Sequence, residues 1–103
     1  MEPKDVTVVG TGLCMELPPG YEAQVRSRSG LAAKSKIFVL NSPGTIDSDY
    51  RDEVKVILAN FSDKPFSGKR GDRIAQLVVS KYEKIMWTEK KTLSETKRKG
   101  GLG

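Results

Sequence analysis

Four stretches of this chain carry residue types that can do chemistry, and histidine is absent from all of them and from the sequence as a whole. That absence removes the commonest general base, the Ser-His and Cys-His nucleophile pairs and every His-bearing metal site. Acid-base chemistry must therefore fall to carboxylates. They are densest in Asp47-Ser48-Asp49-Tyr50-Arg51-Asp52-Glu53, where acids flank an aromatic ring. A carboxylate here can deprotonate water for attack on phosphorus, and further acids can hold Mg²⁺ directly or through its waters. The competing reading is an acidic hairpin loop that balances a basic protein.

Arg26-Ser27-Arg28-Ser29-Gly30 sets two guanidinium groups, hydroxyls and a bare glycine backbone side by side. Phosphate oxygens need such donors, although a solvated strand end with a helix cap has the same composition. Gly71-Asp72-Arg73-Ile74-Ala75-Gln76 enters a buried run and ends on an amide that can donate to an oxyanion; plain turn chemistry at a sheet edge is the alternative. Lys97-Arg98-Lys99-Gly100-Gly101-Leu102-Gly103 can fold over phosphates or form a disordered basic tail. It is not a Walker A loop, since no Gly-Lys-Ser/Thr follows at the required spacing.

The elements that must position these groups read as strands. Apolar runs of four to eight residues are separated by Pro, Gly, Asp and Ser. Residues 6–9 and 13–17 are such runs, the second ending at the turn signal Pro18-Pro19-Gly20. Tyr21, Ala23 and Val25 alternate with polar neighbours, which predicts a half-buried strand. Residues 37–40 and 54–61 are further strands, with Val54, Val56 and Leu58 on one face. The acidic stretch 45–53 lies between them without a hydrophobic period, where a sheet scaffold usually carries chemistry. Residues 74–79 and 82–87 read as the last strands, and 31–36 as a helical turn with Ser29 as N-cap. From Thr88 on, the chain is too polar to hold a shape by burial. The expectation is a β-barrel domain over 1–87 and a flexible arm over 88–103.

With 103 residues the chain is one all-β domain, a sandwich or barrel. The formal charge of +5 suits an anionic partner without choosing among them. One cysteine, Cys14, excludes an intrachain disulfide, and no run approaches a membrane span or signal peptide. The expected setting is intracellular, cytoplasmic or nuclear, with no membrane and no nucleic-acid partner; the few aromatics are not spaced as a stacking platform.

Taken in order, the four stretches resemble four of the five motifs of the dUTPase family. The second is similar to Arg28-Ser29-Gly30-Leu31-Ala32, the third to Gly44-Thr45-Ile46-Asp47-Ser48-Asp49-Tyr50-Arg51, the fourth to Gly71-Asp72-Arg73-Ile74-Ala75-Gln76, and the fifth to Gly100-Gly101-Leu102-Gly103. The resemblance implies a homotrimer of distorted jelly-roll-like barrels, the dUTPase-like β-clip, hydrolysing dUTP to dUMP and pyrophosphate at sites built between subunits. It implies that Asp47 activates the water that attacks the α-phosphorus. Tyr50 would lie under the deoxyribose and exclude a 2′-hydroxyl. Asn41, with the backbone of Gly44, Thr45 and Ile46, would read the uracil edge. Arg28, Ser29 and Gly30 from a neighbouring subunit, and Gln76, would contact the phosphates. Arg98, Gly100, Gly101 and Leu102 would form the arm that closes over the nucleotide. Mg²⁺ would be held chiefly by the triphosphate and waters, so no residue is assigned as a direct metal ligand.

The sequence departs from the family in places. Its Ala-Gly-x-Asp first motif has no counterpart here, so the reading is of an N-terminally incomplete member. Leu102 stands where an aromatic normally stacks on uracil, Asp52 where glycine follows Arg51, and Ser27 where relatives often carry proline. Two enzymatic or regulatory alternatives share the fold: a dCTP deaminase, and a catalytically impaired nucleotide-binding or regulatory protein. Tyr50 and the spacing from Asn41 to Asp47 favour the hydrolase over the deaminase.

Overall fold

Turn chemistry places the first strands. Tyr21 N–H donates to the Pro18 carbonyl at 3.2 Å across Gly20, whose φ of 88° supplies the conformation that a type II turn needs after Pro19. The same device closes the chain at Lys69 to Asp72, with Gly71 at φ 92° and a 3.0 Å bond. The structure, a computed structural model, describes residues 1–98, Gly100 and Gly101. Its elements are β1 (Val6–Gly10), β2 (Tyr21–Arg26), α1 (Ser29–Ser35), β3 (Ile37–Val39), β4 (Gly44–Ile46), β5 (Lys55–Asn60) and β6 (Gln76–Lys81). They form two three-stranded sheets ordered β1-β5-β3 and β4-β2-β6, in which every pairing is antiparallel. The all-β class expected from the periodicity is the one observed.

The core lies where the alternation puts it. Val56 and Leu58 of β5 and Val54 just before it pack with Ile37 and Val39 of β3 and with Val25 of β2. Because side chains alternate across a strand, the predicted shared face of positions 54, 56 and 58 joins the two sheets. Buried Asn60 closes the end of β5: its Nδ2 donates to the Lys64 carbonyl at 2.9 Å, and its Oδ1 accepts from Ser62 N–H and Oγ. Among the described residues no helix is long and apolar enough to cross a membrane.

Four local expectations need correction. Residues 13–17 form no strand, because after Leu13 accepts a 2.7 Å bond from Val54 N–H the chain leaves β5. Gly44–Ile46, read as part of an irregular loop, pairs with β2 as β4. The N-cap of α1 is Arg28 and not Ser29, since the Arg28 carbonyl already accepts from Ala32 N–H at 3.0 Å and draws Ser29 into the first turn. Residues 82–87 form no strand: Ile85, Met86 and Trp87 are 69%, 93% and 91% exposed, with no described strand beside them to complete a ladder. The last strand starts at Gln76, opposite Arg26, and ends at Lys81, opposite Tyr21.

Candidate active site

β4 is a three-residue edge strand that pairs with β2 alone, while its sequence neighbours β3 and β5 belong to the other sheet. Gly44 pairs with Val25 and is buried, and a Cβ there would come within 3.0 Å of Asn41 Nδ2 and 3.2 Å of the Asn41 carbonyl. Glycine leaves the Asn41 side chain room to fold back over the strand, whereas a Cβ would press it aside. Ile46 opposite Ala23 ends the ladder, and Asp47 is the first residue beyond it. The chain then turns: Tyr50 N–H donates to the Asp47 carbonyl at 3.1 Å, and Arg51 binds the Ser48 carbonyl and pairs with Glu16 at 3.3 Å.

These residues enclose a cavity of about 450 Å³ lined by Asn41, Gly44, Thr45, Ile46, Asp47 and Tyr50, all foreseen from sequence, together with Val8, Val25, Asp49, Val54, Lys55 and Ile57. Its volume suits a nucleotide-sized ligand. Asp47 is exposed and makes no side-chain hydrogen bond or ion pair among the described residues, so its lone pairs remain directed to solvent or a ligand. Lys55 brings a cation to a wall that also carries two carboxylates. Sequence reasoning missed it, because an exposed lysine in a strand looks like an ordinary solvated residue; only the pairing of β5 with β1 turns it toward this wall.

Arg28, Ser29 and Gly30 do not line this cavity. They open α1, tied to the rest through Ser27. Ser27 Oγ accepts from Val39 N–H at 2.9 Å and lies 3.0 Å from Ser42 Oγ, and the Ser27 carbonyl accepts from Gln76 Nε2 at 3.0 Å. Gln76 is thus brought to the basic turn and not to Asp47. The two groups of candidate residues on one chain occupy different places. Arg98, Gly100 and Gly101 are exposed; Arg98 Nη2 donates to the Gly101 carbonyl at 3.5 Å. Leu102 lies outside the described residues. A larger concavity, about 750 Å³, lies between β1 and the Gly68-Lys69-Arg70-Gly71-Asp72 turn; Gly71, Asp72 and Ile74 of the fourth motif line it, but Gln76 and the other residues given a role at the site do not. Size alone does not mark the site; converging polar groups do.

The dUTPase family model matches residues 1–103. The chain belongs to the dUTPase family. It is 54% identical over 101 residues to the deoxyuridine 5′-triphosphate nucleotidohydrolase of Neorickettsia sennetsu, covering 98% of this chain and 68% of that one. To the Rickettsia bellii enzyme of the same name it is 55% identical over 100 residues, covering 96% and 67%. Among solved structures, a Staphylococcus bacteriophage 80alpha dUTPase variant with dUpNHpp superposes with a TM-score of 0.86 at 22% identity, over 100% of this chain and 77% of that one. The native EIAV dUTPase gives 0.73 at 24% identity, over 89% and 77%. At those identities the structures speak for the fold, which is the jelly-roll-like β fold of dUTPases.

No three of the described Asp, Glu or Cys residues converge as a metal cage. Two carboxylates in one cavity, Asp47 and Asp49, are what Mg²⁺ asks of a protein when phosphates and waters supply its other ligands. In that limited sense this dUTPase-family site fits the ion. A structural Mg(II) ion is named for the dUTPase of phage phi11 of S. aureus.

Proposed function

We propose that this dUTPase-family chain hydrolyses dUTP to dUMP and pyrophosphate, with the Asp47 carboxylate as the base. A water held by Asp47 gives it a proton while its oxygen attacks the α-phosphorus in line. The bond from that phosphorus to the bridging oxygen breaks, and pyrophosphate leaves. One observation carries the reading: in a histidine-free chain, Asp47 shares one cavity with Asn41, the Gly44–Ile46 strand and Tyr50. Asn41 and the strand's backbone read the base, and the Tyr50 ring supports the sugar and crowds a 2′-hydroxyl. Mg²⁺, when bound, neutralises charge on the triphosphate, with Asp47 and Asp49 as the groups that would hold its waters.

The phosphate turn Arg28-Ser29-Gly30 and Gln76 serve a neighbouring subunit in a homotrimer, and Arg98, Gly100, Gly101 and Leu102 belong to an arm that closes over the nucleotide. Two findings support that arrangement: this turn does not line the chain's own cavity, and Val6, Val8, Val79 and residues 85–87 leave apolar surface uncovered in a single chain. The free, exposed Cys14 suits an intracellular setting, cytoplasmic or nuclear.

Pyrophosphate release with dUTP, dCTP, dTTP and UTP tests the activity; turnover confined to dUTP is expected, and ammonia from dCTP would instead mark a deaminase. Mixing inactive Asp47→Asn with inactive Arg28→Ala chains tests the shared site. Recovery of activity on mixing is expected, and none would return if each chain used its own turn.

A further inference from the structure

Tyr50 is 37% exposed, so packing alone does not hold its ring against the cavity. Its hydroxyl donates to the Glu53 carbonyl at 2.7 Å. Glu53 in turn is anchored to a distant segment, the chain just after β1: its Oε2 accepts from Gly12 N–H at 2.8 Å. Its neighbour Val54 is stitched to the same segment, with the Val54 carbonyl accepting from Thr11 Oγ1 at 2.6 Å and Val54 N–H donating to Leu13 at 2.7 Å. The fit is close, since a Cβ on Gly10 would lie 2.6 Å from Glu53 Oε2. Glu53 itself does not line the cavity.

We infer that Glu53 is a positioning residue: through Gly12 on one side and the Tyr50 hydroxyl on the other, it fixes the ring wall that separates dUTP from UTP. The inference rests on the reading of Tyr50 given above. It assigns a task to the last acid of the 47–53 cluster, which neither touches the nucleotide pocket nor pairs with a cation among the described residues. It also gives a reason for Gly10 at the end of β1, which leaves room for the carboxylate that Gly12 N–H holds.

The test is the ratio of kcat/KM for dUTP to that for UTP in the full chain and its variants. Tyr50→Phe keeps the ring and deletes the donor; Glu53→Ala deletes the anchor; Gly10→Ala displaces it. Each should lower the ratio about tenfold, the loss expected for one hydrogen bond. Glu53→Gln, whose amide oxygen can accept from Gly12 N–H, should retain the ratio. The Tyr50→Phe and Glu53→Ala pair should fall no further than either single variant, because both act through one brace. Tyr50→Ala reports on the underlying reading: an unchanged ratio there means that Tyr50 does not select the sugar. If Tyr50→Ala collapses the ratio while Glu53→Ala and Gly10→Ala leave it at the parental value, whatever their melting temperatures, Glu53 is only structural and the inference fails. Should Glu53→Ala not fold, Gly10→Ala and Tyr50→Phe decide by the same ratio.

Discussion

Residues 41–54 and residues 82–101 both carry candidate site groups, yet they are built in opposite ways. In the first, Gly44 is buried against Asn41, the Tyr50 hydroxyl is anchored to Glu53, Glu53 to Gly12, and Val54 sits in the core. In the second, every described residue is exposed, and bonds after Tyr82, whose N–H donates to Gly20 at 3.0 Å, are local ones such as Arg98 N–H to Thr96 at 3.2 Å. The acidic segment therefore brings its geometry with it, because Tyr50 and Glu53 are held by bonds within the chain while the Asp47 carboxylate is left open. The basic stretch has no such anchors among its described residues. Changes in the acidic segment should act on rate, selectivity and stability; changes in the basic stretch should act on binding and assembly.

Asp47→Asn should break the comparison most sharply if it is wrong. Loss of a general base predicts a fall in kcat of about a thousandfold with KM within a few-fold, and a residual rate within tenfold of the parent would remove Asp47 from the chemistry. Next comes Leu58→Ala. This side chain is 2% exposed at the centre of the core, and its truncation should cost about 3 kcal/mol in urea denaturation; a loss under 1 kcal/mol would mean that the sheets are not held together there. Arg98→Ala should raise KM for dUTP about tenfold, as expected for a charged hydrogen bond to phosphate, while the denaturation midpoint stays put. An unchanged KM would take Arg98 out of the arm. The smallest effect is expected at Trp87, 91% exposed in the single chain. For Trp87→Ala at protein concentrations where the chain is monomeric, stability should change by less than about 0.5 kcal/mol. A larger loss in the monomeric chain would mean that the indole packs on its own chain; a loss that appears only at concentrations where chains associate is expected if the uncovered 85–87 surface is a subunit contact.

Much of this was legible in the sequence because the signals were local. Pro19-Gly20 and Gly71 require their turns whatever surrounds them, and the alternation at 54, 56 and 58 picks its own buried face. The cavity's Asn41, Gly44, Thr45, Ile46, Asp47 and Tyr50 came from the family's third motif and its flank, and the structure gathers all six. The strand expected at 82–87 failed for the converse reason. An apolar run states what a segment can do, whereas a ladder needs a neighbour, and none of the described strands lies there. Ser29 failed as a cap because the choice between adjacent residues turns on a single backbone bond.

By itself the sequence determined a histidine-free, strand-built chain of the dUTPase type with its acids concentrated before β5, since residue types, turn signals and period-two burial depend only on near neighbours. Tertiary structure alone decided that Lys55 joins the cavity wall, that Gln76 meets Ser27 and not Asp47, and that Glu53 locks onto Gly12 from 41 residues away. Each of those meetings depends on strand register between distant segments, and register is a property of the whole core that no single stretch of sequence can specify.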